Sequence, residues 1–338
     1  MTDQKNRLTL WFKIILRVQK NWFLLSMVLM VGLATVFPAM GASGGPLKAD
    51  LVGKIGIFGI FFFHGMNLSL GNLQSGLKSW KLHLSIQSFT FILFPLLFLF
   101  LQMPFSVFFP PSLVLGFLLL CILPSTISSS IAMTSLGKGN VPAAIFNASV
   151  SSLLGIFITP LLLTLFLSAQ ANSIPLGPAI LNLVILILFP FVLGQIIRAI
   201  KALSILQKLR SRLHLYDELI ILLLVFNSFA DSVADGLWIK HGISMLVYTF
   251  IGASLILFLI LFLTTMITRK LGFSKEDEIA AVFCGSKKTL ASGIPMGKIL
   301  FAGHPGIAVI VLPIIFYHQL QLFIGSILAN RYAKREVK

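Results

Sequence analysis

The sequence is poor in charge, and acidic residues are its scarcest charged type. Only 11% of the 338 residues are Asp, Glu, Lys or Arg, and ten are acidic, whereas roughly a quarter of an ordinary soluble domain is charged. The chain contains two cysteines, Cys121 and Cys284, and both fall inside apolar stretches. The low charge argues against a soluble protein, and the two cysteines support neither a disulfide framework nor a Cys-rich metal site.

Apolar runs of about 20 residues recur along the chain, which is 57% hydrophobic. At about 1.5 Å per residue, each run is long enough to cross a hydrocarbon layer of roughly 30 Å as a helix. We therefore expect an all-α membrane protein with ten transmembrane helices. The ten spans begin near Trp22, Leu51, Trp80, Ser112, Val141, Ile174, Leu215, Gly242, Asp277 and Pro305.

The net charge of +16 would suggest a nucleic-acid partner in a soluble chain, but here the distribution of the basic residues indicates membrane topology. Twenty of the 26 basic residues fall on one side of the bilayer when ten spans are assumed. We therefore expect no nucleic-acid partner. Both termini should be cytoplasmic, with a tail over residues 1–21, in a multi-pass protein of the inner (plasma) membrane.

A hydrophilic stretch from Arg198 to His214 divides the spans into two sets of five. Because five is odd, two consecutive copies of such a unit face opposite ways, which predicts a 5+5 inverted repeat. The segments Cys121–Pro142 and Cys284–Pro305 align without a gap and are identical at six of 22 positions. Residues 1–200 would hold the first five-span unit and span six, and residues 201–338 a cytoplasmic loop and spans seven to ten.

Spans four and nine are poor continuous helices, because one combines a proline with several hydroxyl residues and the other combines glycines, a proline and two lysines. Irregular backbone at membrane depth is tolerated only where protein buries it or water lines it. We expect both helices to be discontinuous and to cross near the midplane as an ion or substrate site. The alternative is a pair of kinked structural helices. The predicted site residues are Pro124, Ser125, Thr126, Ser128, Ser129, Ser130, Ser286, Lys287, Lys288, Thr289 and Ser292.

The run C-I-L-P-S-T-I-S-S-S-I-A-M-T-S-L-G-K-G-N from Cys121 to Asn140 resembles the crossover helix of the bile acid:sodium symporter family. The runs S-K-K-T-L-A-S-G (Ser286–Gly293) and Y-H-Q-L-Q (Tyr317–Gln321) are similar to those of a bacterial branch grouped with the vertebrate orphan seventh member. The resemblance covers essentially the whole chain. It implies a core domain of spans 3–5 and 8–10 (residues 80–168 and 242–331) and a panel domain of spans 1, 2, 6 and 7. It also implies a secondary active transporter that moves a small, anionic organic solute by alternating access.

The resemblance further implies sodium ligands, which this sequence keeps only in part. The family Ser-Asn pair falls on Ser130 and Ile131, and the family Gln-Asn pair of span nine falls on Lys287 and Lys288. We therefore expect a degenerate sodium site, with Na⁺ as the one cofactor to consider. The remaining candidates for sodium binding or polar support are Gln87, Asn147, Ser149, His318 and Gln319.

Lys287 and Lys288 are the most informative departure, because a lysine at the centre of a span costs at least roughly 2.5 to 3.5 kcal/mol. No acidic residue falls at mid-span as a partner. Three interpretations stay open: the ammonium groups replace sodium and await an anionic substrate, a lysine loads and releases a proton, or the pair bonds to carbonyls freed by the broken helix.

Other functional classes also stay open. The chain could be a proton-coupled or uncoupled carrier, or a membrane sensor or regulator that keeps the transporter fold. An intramembrane enzyme with Ser286 beside Lys287 is disfavoured, because adjacent helical residues point about 100 degrees apart. We expect no enzymatic activity.

Overall fold

The computed structural model describes residues 22–67, 79–168, 181, 184–199, 203–234 and 236–335. The predicted tail 1–21, Lys78, Lys201 and the predicted start of span six near Ile174 lie outside the described residues. Fourteen α-helices are described: α1 (Trp22–Val36), α2 (Pro38–Gly41), α3 (Ala49–Asn67), α4 (Trp80–Ser88), α5 (Phe94–Phe108), α6 (Pro111–Ile122), α7 (Ile127–Leu136), α8 (Val141–Ser168), α9 (Phe189–Ala199), α10 (Leu203–Ala234), α11 (Leu237–Lys270), α12 (Lys275–Gly285), α13 (Leu290–Leu300) and α14 (Ile307–Ala333).

Among the described residues, five helical stretches are long and apolar enough to cross a membrane, namely Ala49–Met66, Trp80–Phe108, Val141–Leu167, Ser244–Lys270 and Ile307–Ala333. The bent pair α6 and α7 would make a sixth span, and two shorter apolar helices accompany them. The all-helical class is thus confirmed for the described part of the chain and fits a membrane protein. The count of ten spans, the inverted repeat and the cytoplasmic termini stay predictions.

The cytoplasmic loop predicted from residue 201 is helical from Leu203 onward, as the first turns of α10. Its Leu, Gln, Lys and Arg residues are good helix formers, and no Gly or Pro interrupts Leu203–Ala234. The helix therefore begins well before the predicted start of span seven at Leu215.

Two π-helical turns, Phe89–Leu93 and Val184–Leu188, were not predicted from the sequence. Each ends directly before a Phe-Pro pair, with Pro95 in the first case and Pro190 in the second. Proline has no N–H to donate and its ring clashes with the carbonyl one turn earlier, so the preceding turn widens.

The helices pack as two groups. Helices α1, α2, α3, α9 and α10 contact one another, and helices α4–α8 and α11–α14 contact one another. Helix α10 also contacts α11, α13 and α14, so it links the two groups.

Helices α3 and α9 approach closely through one glycine on each. A Cβ atom added to Gly65 would lie 2.1 Å from the carbonyl oxygen of Phe191, and one added to Gly194 would lie 2.2 Å from that of Phe62. Both neighbours are backbone atoms, so the contact can be relieved only by moving a helix. Small residues allow such approaches between membrane helices.

We expect Gly65→Ala to lower the free energy of unfolding by about 1 to 3 kcal/mol, the usual effect of overpacking a tight contact. Gly32→Ala on α1 is the matched control, because a Cβ there meets nothing within 4 Å. Thermal unfolding in detergent should show a lower melting temperature for Gly65→Ala alone. Equal melting temperatures for the two variants would contradict the close approach.

Candidate functional site

The fourth predicted span consists of α6 and α7, which are bent by 62° across the break Leu123–Thr126. Pro124 lies in this break, where the backbone is extended. Side chains of α8 satisfy two of the freed backbone groups. Thr159 Oγ1 donates to the Ile122 carbonyl (2.8 Å), and the Ser125 N–H donates to Ser151 Oγ (2.9 Å).

The ninth predicted span consists of α12 and α13, which are separated by the break Ser286–Thr289. Thr289 caps α13 by accepting a hydrogen bond from the Ser292 N–H, at 3.4 Å. The hydroxyl of Tyr317 on α14 donates to the Ser286 carbonyl, at 2.6 Å. All four residues of the break are buried, so protein rather than lipid surrounds the irregular backbone, as membrane depth requires.

The two breaks bond directly to each other. The Thr289 N–H donates to the Pro124 carbonyl (3.1 Å), and Ser125 Oγ donates to the Cys284 carbonyl (2.6 Å). Ser130 Oγ lies 3.4 Å from the Phe283 carbonyl. The backbone groups freed in one helix are thus satisfied partly by the other helix.

The Lys288 ammonium lies in a pocket of backbone carbonyl oxygens from a different part of the chain. Its Nζ donates to the carbonyls of Leu123 (2.6 Å), Cys121 (2.9 Å) and Thr90 (2.9 Å). The ring centroid of Phe94 lies 4.0 Å from the same nitrogen, within the range of a cation–π interaction. A lysine ammonium has three N–H donors, so all three are used and the side chain is 1% exposed.

Lys287 is equally buried but has fewer partners. Its Nζ donates to the Gln321 carbonyl at 3.2 Å and lies 5.9 Å from the ring centroid of Phe283. A Cβ on Gly325 would lie 3.1 Å from this nitrogen, so α14 leaves room for the ammonium by having a glycine there.

Gln321 on α14 holds the backbone of the second break in place. Its Oε1 accepts from the Lys288 N–H (2.9 Å), and its Nε2 donates to the Lys288 carbonyl (2.8 Å). Nε2 also lies 3.0 Å from His318 Nδ1. One side-chain amide therefore pairs with both backbone groups of the residue that fills the carbonyl pocket.

A cavity of about 990 Å³ lies between α3 and α10 on one side and the end of α13 on the other. Lys298, in the last turn of α13, reaches into it and donates to Asn227 Oδ1 on α10. The Lys298 Nζ also lies 3.9 Å from Asp231 Oδ2. His304, in the α13–α14 loop, lines the same cavity, and its partial burial lowers the pKa of its imidazole.

A family model described as the SBF-like CPA transporter family matches residues 21–334. The chain belongs to this family. A Pseudomonas aeruginosa protein is 44% identical over 313 residues, covering 93% of both chains, and YfeH of Escherichia coli is 39% identical over 316 residues, again 93% of both. The rat sodium/bile acid cotransporter 7 is 36% identical over 316 residues, or 92% of both. The resemblance to bile acid:sodium symporters is thereby confirmed.

The names of some SBF-like relatives raise the question of whether sodium fits this chain. The carbonyl oxygens of Thr90, Cys121 and Leu123, which could otherwise coordinate a cation, are bonded to Lys288 at 2.6 to 2.9 Å. Sodium therefore does not fit the carbonyl pocket while Lys288 is there.

Two of the three predicted amide ligands of this SBF-like chain, Gln87 and Asn147, bond to each other. Gln87 Nε2 donates to the Asn147 backbone carbonyl (3.1 Å) and to Asn147 Oδ1 (3.2 Å), and Asn147 Nδ2 lies 2.8 Å from His83 Nδ1. Gln87 Oε1 is buried without a hydrogen-bond partner among the described residues.

The structure brings together most of the predicted site residues, but not all. Pro124, Ser125, Ser130 and the break Ser286–Thr289 lie at the contact between the two helices, and Ser292 follows at the start of α13. Ser129 Oγ donates to Thr126 Oγ1, at 3.4 Å, and to no other described side chain. The remaining three lie apart: Ser128 is exposed, and Ser149 and Gln319 are half-buried without a hydrogen bond among the described side chains.

Sequence reasoning missed Gln321, Tyr317 and the Lys298–Asn227–Asp231 group. Gln321 and Tyr317 stood in the Y-H-Q-L-Q run, but the run alone does not say which side of α14 faces the break. Lys298 falls within the predicted ninth span, but no residue near it in the sequence marks Asn227 or Asp231 as a partner.

Proposed function

We propose that this SBF-like protein is a secondary carrier that moves a small, anionic organic solute across the cytoplasmic membrane by alternating access. The core would comprise residues 80–168 and 242–331, and the panel would comprise spans 1, 2, 6 and 7. The packing of the described helices into two groups linked by α10 supports this division. A relative named sodium/bile acid cotransporter 7 supports a carrier of organic solutes.

The cavity between the two groups is the observation that carries the proposal. Its volume of about 990 Å³ is at the upper end of the range for small-molecule sites, about 300 to 1,000 Å³. It is lined by both apolar and charged side chains, and it lies where α10 meets α13. A movement of one group against the other would change access to it, as a carrier of this kind requires.

We also propose that the sodium site is degenerate at the second break. The contacts of Lys288 favour the interpretation in which its ammonium occupies a cation position among carbonyls, since Thr90, Cys121 and Leu123 together use all of its donors. Lys287 has one such bond, and it stays a candidate for proton loading. Transport would then be uncoupled or proton-coupled rather than sodium-driven.

Reconstitution into proteoliposomes tests the carrier function. We expect saturable uptake of at least one organic anion from a panel of carboxylates and sulfonates that includes taurocholate. A sensor would bind a member of the panel without flux, and an enzyme would release a changed product. Either result would contradict the proposed carrier function.

Replacing Na⁺ by choline on both sides of the membrane should leave the initial uptake rate unchanged within about twofold, because the carbonyl pocket already holds a cation. The measurement is uptake against Na⁺ concentration at constant ionic strength, with a pH gradient applied separately to detect proton coupling. Saturable activation by Na⁺ would contradict the degenerate site.

A further inference from the structure

Asn227 and Asp231 on α10 are held in place by partners other than Lys298. Asp231 accepts hydrogen bonds from the Ser43 N–H (2.6 Å, Oδ1) and from Ser43 Oγ (2.9 Å, Oδ2). Asn227 Nδ2 donates to the Gly41 carbonyl, at 2.7 Å, which turns its Oδ1 toward Lys298. The acceptors for Lys298 are thus fixed within the α1–α3, α9 and α10 group and keep their positions if Lys298 leaves.

Lys298 belongs to the other helix group, α4–α8 and α11–α14, and is the residue with which that group makes this contact. Three further Asp and Lys side chains line the cavity, and all three, Asp50, Lys54 and Asp231, lie on α3 or α10. Among the described lining residues, Lys298 is therefore the one Asp or Lys on α13. Its side chain is 14% exposed, and its Nζ is 3.9 Å from the nearest oxygen of Asp231, at the limit of an ion pair.

This position differs from those of the two lysines in the break. Lys287 and Lys288 are each 1% exposed, and all donors of Lys288 are used by carbonyls. Lys298 instead faces an open cavity and bonds to a neutral amide, and its Nζ is 3.9 Å from the Asp231 carboxylate. An anion entering the cavity could replace both acceptors without leaving the ammonium unpaired.

We infer that Lys298 is the anion-binding residue of the cavity. The anionic group of the solute binds the Lys298 ammonium in place of Asn227 and Asp231, and this exchange breaks the contact between α13 and α10. The inference rests on the proposed carrier function and adds a site to it. Ile57, Leu186, Leu224 and Ile299 line the cavity beside Lys298. The solute class that fits is therefore an organic monoanion, a carboxylate or sulfonate, with an apolar body.

The full-length chain in detergent and in proteoliposomes tests this inference with benzoate, decanoate, benzenesulfonate and taurocholate, against uncharged benzamide and cationic benzylamine. For the anion with the lowest wild-type Kd, we expect Lys298→Gln to raise Kd at least tenfold and Lys298→Arg to change it less than threefold. Asp231→Asn should lower Kd severalfold, because it removes the competing carboxylate. Lys270→Gln, which removes an exposed charge at the end of α11, is the charge control and should leave Kd unchanged.

Melting of each variant without ligand shows whether it folds. If Lys298→Gln does not fold, the nearly unchanged Kd expected for Lys298→Arg and the lower Kd expected for Asp231→Asn still test the inference. Unchanged binding in Lys298→Gln, weaker binding in Asp231→Asn, preference for benzylamine or benzamide, or no binding of any anion would overturn it. Saturable uptake by the wild type would then still support the carrier. Anion binding that depends on Lys298, without uptake, would support the inference and contradict the proposed carrier function.

Discussion

Lys288→Ala should make the stability of the protein depend on small monovalent cations, which we expect to have little effect on the wild type. The substitution removes the donor from three buried carbonyls, those of Thr90, Cys121 and Leu123. Each unsatisfied buried acceptor costs about 1 to 3 kcal/mol, and only part of this is offset by removing a desolvated charge. In choline buffer we expect a loss of about 3 kcal/mol or more.

Sodium, potassium or ammonium should then restore part of the lost stability of Lys288→Ala. A cation present at 100 times its Kd would contribute about 2.7 kcal/mol. Lys287→Ala is the matched control, because Lys287 is equally buried but bonds to one carbonyl. The measurement is the melting temperature as each chloride salt replaces choline chloride. A Lys288→Ala variant that melts like the wild type in every salt would show that the carbonyls do not form a cation site.

Gln321→Leu should produce the second large loss. The side chain bonds to both the N–H and the carbonyl of Lys288, and leucine fills a similar volume without polar atoms. Two buried backbone groups would lose their partners, at about 1 to 3 kcal/mol each. We expect a lower melting temperature and a shifted α12–α13 break, which limited proteolysis or hydrogen exchange at residues 286–289 would report.

Gln319→Leu provides the control for Gln321→Leu on the same helix. Gln319 is half-buried and has no hydrogen bond among the described side chains, so its substitution should change the melting temperature little. Similar losses in both variants would mean that α14 needs amides in general rather than the specific pairing with Lys288.

The positions of the two breaks follow from local chemistry, which a sequence displays. Pro124 cannot donate a backbone hydrogen bond, and α6 ends at Ile122. Glycine and hydroxyl residues surround the second break, and α12 ends at Gly285. The family resemblance rested on three short runs of residues, Cys121–Asn140, Ser286–Gly293 and Tyr317–Gln321. These runs form the two breaks and the part of α14 that contacts the second break.

The partners of the lysines could not be predicted in the same way. Lys288 bonds to backbone carbonyls, and every residue has a carbonyl, so no residue type marks the acceptors. The choice between Gln319 and Gln321 depends on the rotation of α14, which packing decides. Lys298 and Asp231 are far apart in the chain and meet only because α10 packs against α13.

The Lys288 ammonium among its three carbonyls also bears on the energy available for transport. A sodium ion that enters with the solute and leaves on the other side adds the free energy of its own gradient to each cycle. An ammonium that belongs to the polypeptide returns with the helix that carries it, so it ends every cycle at the electrochemical potential at which it began. A carrier of this design would draw no work from a sodium gradient at this position, and concentrating its solute would require another driving force, such as a proton gradient.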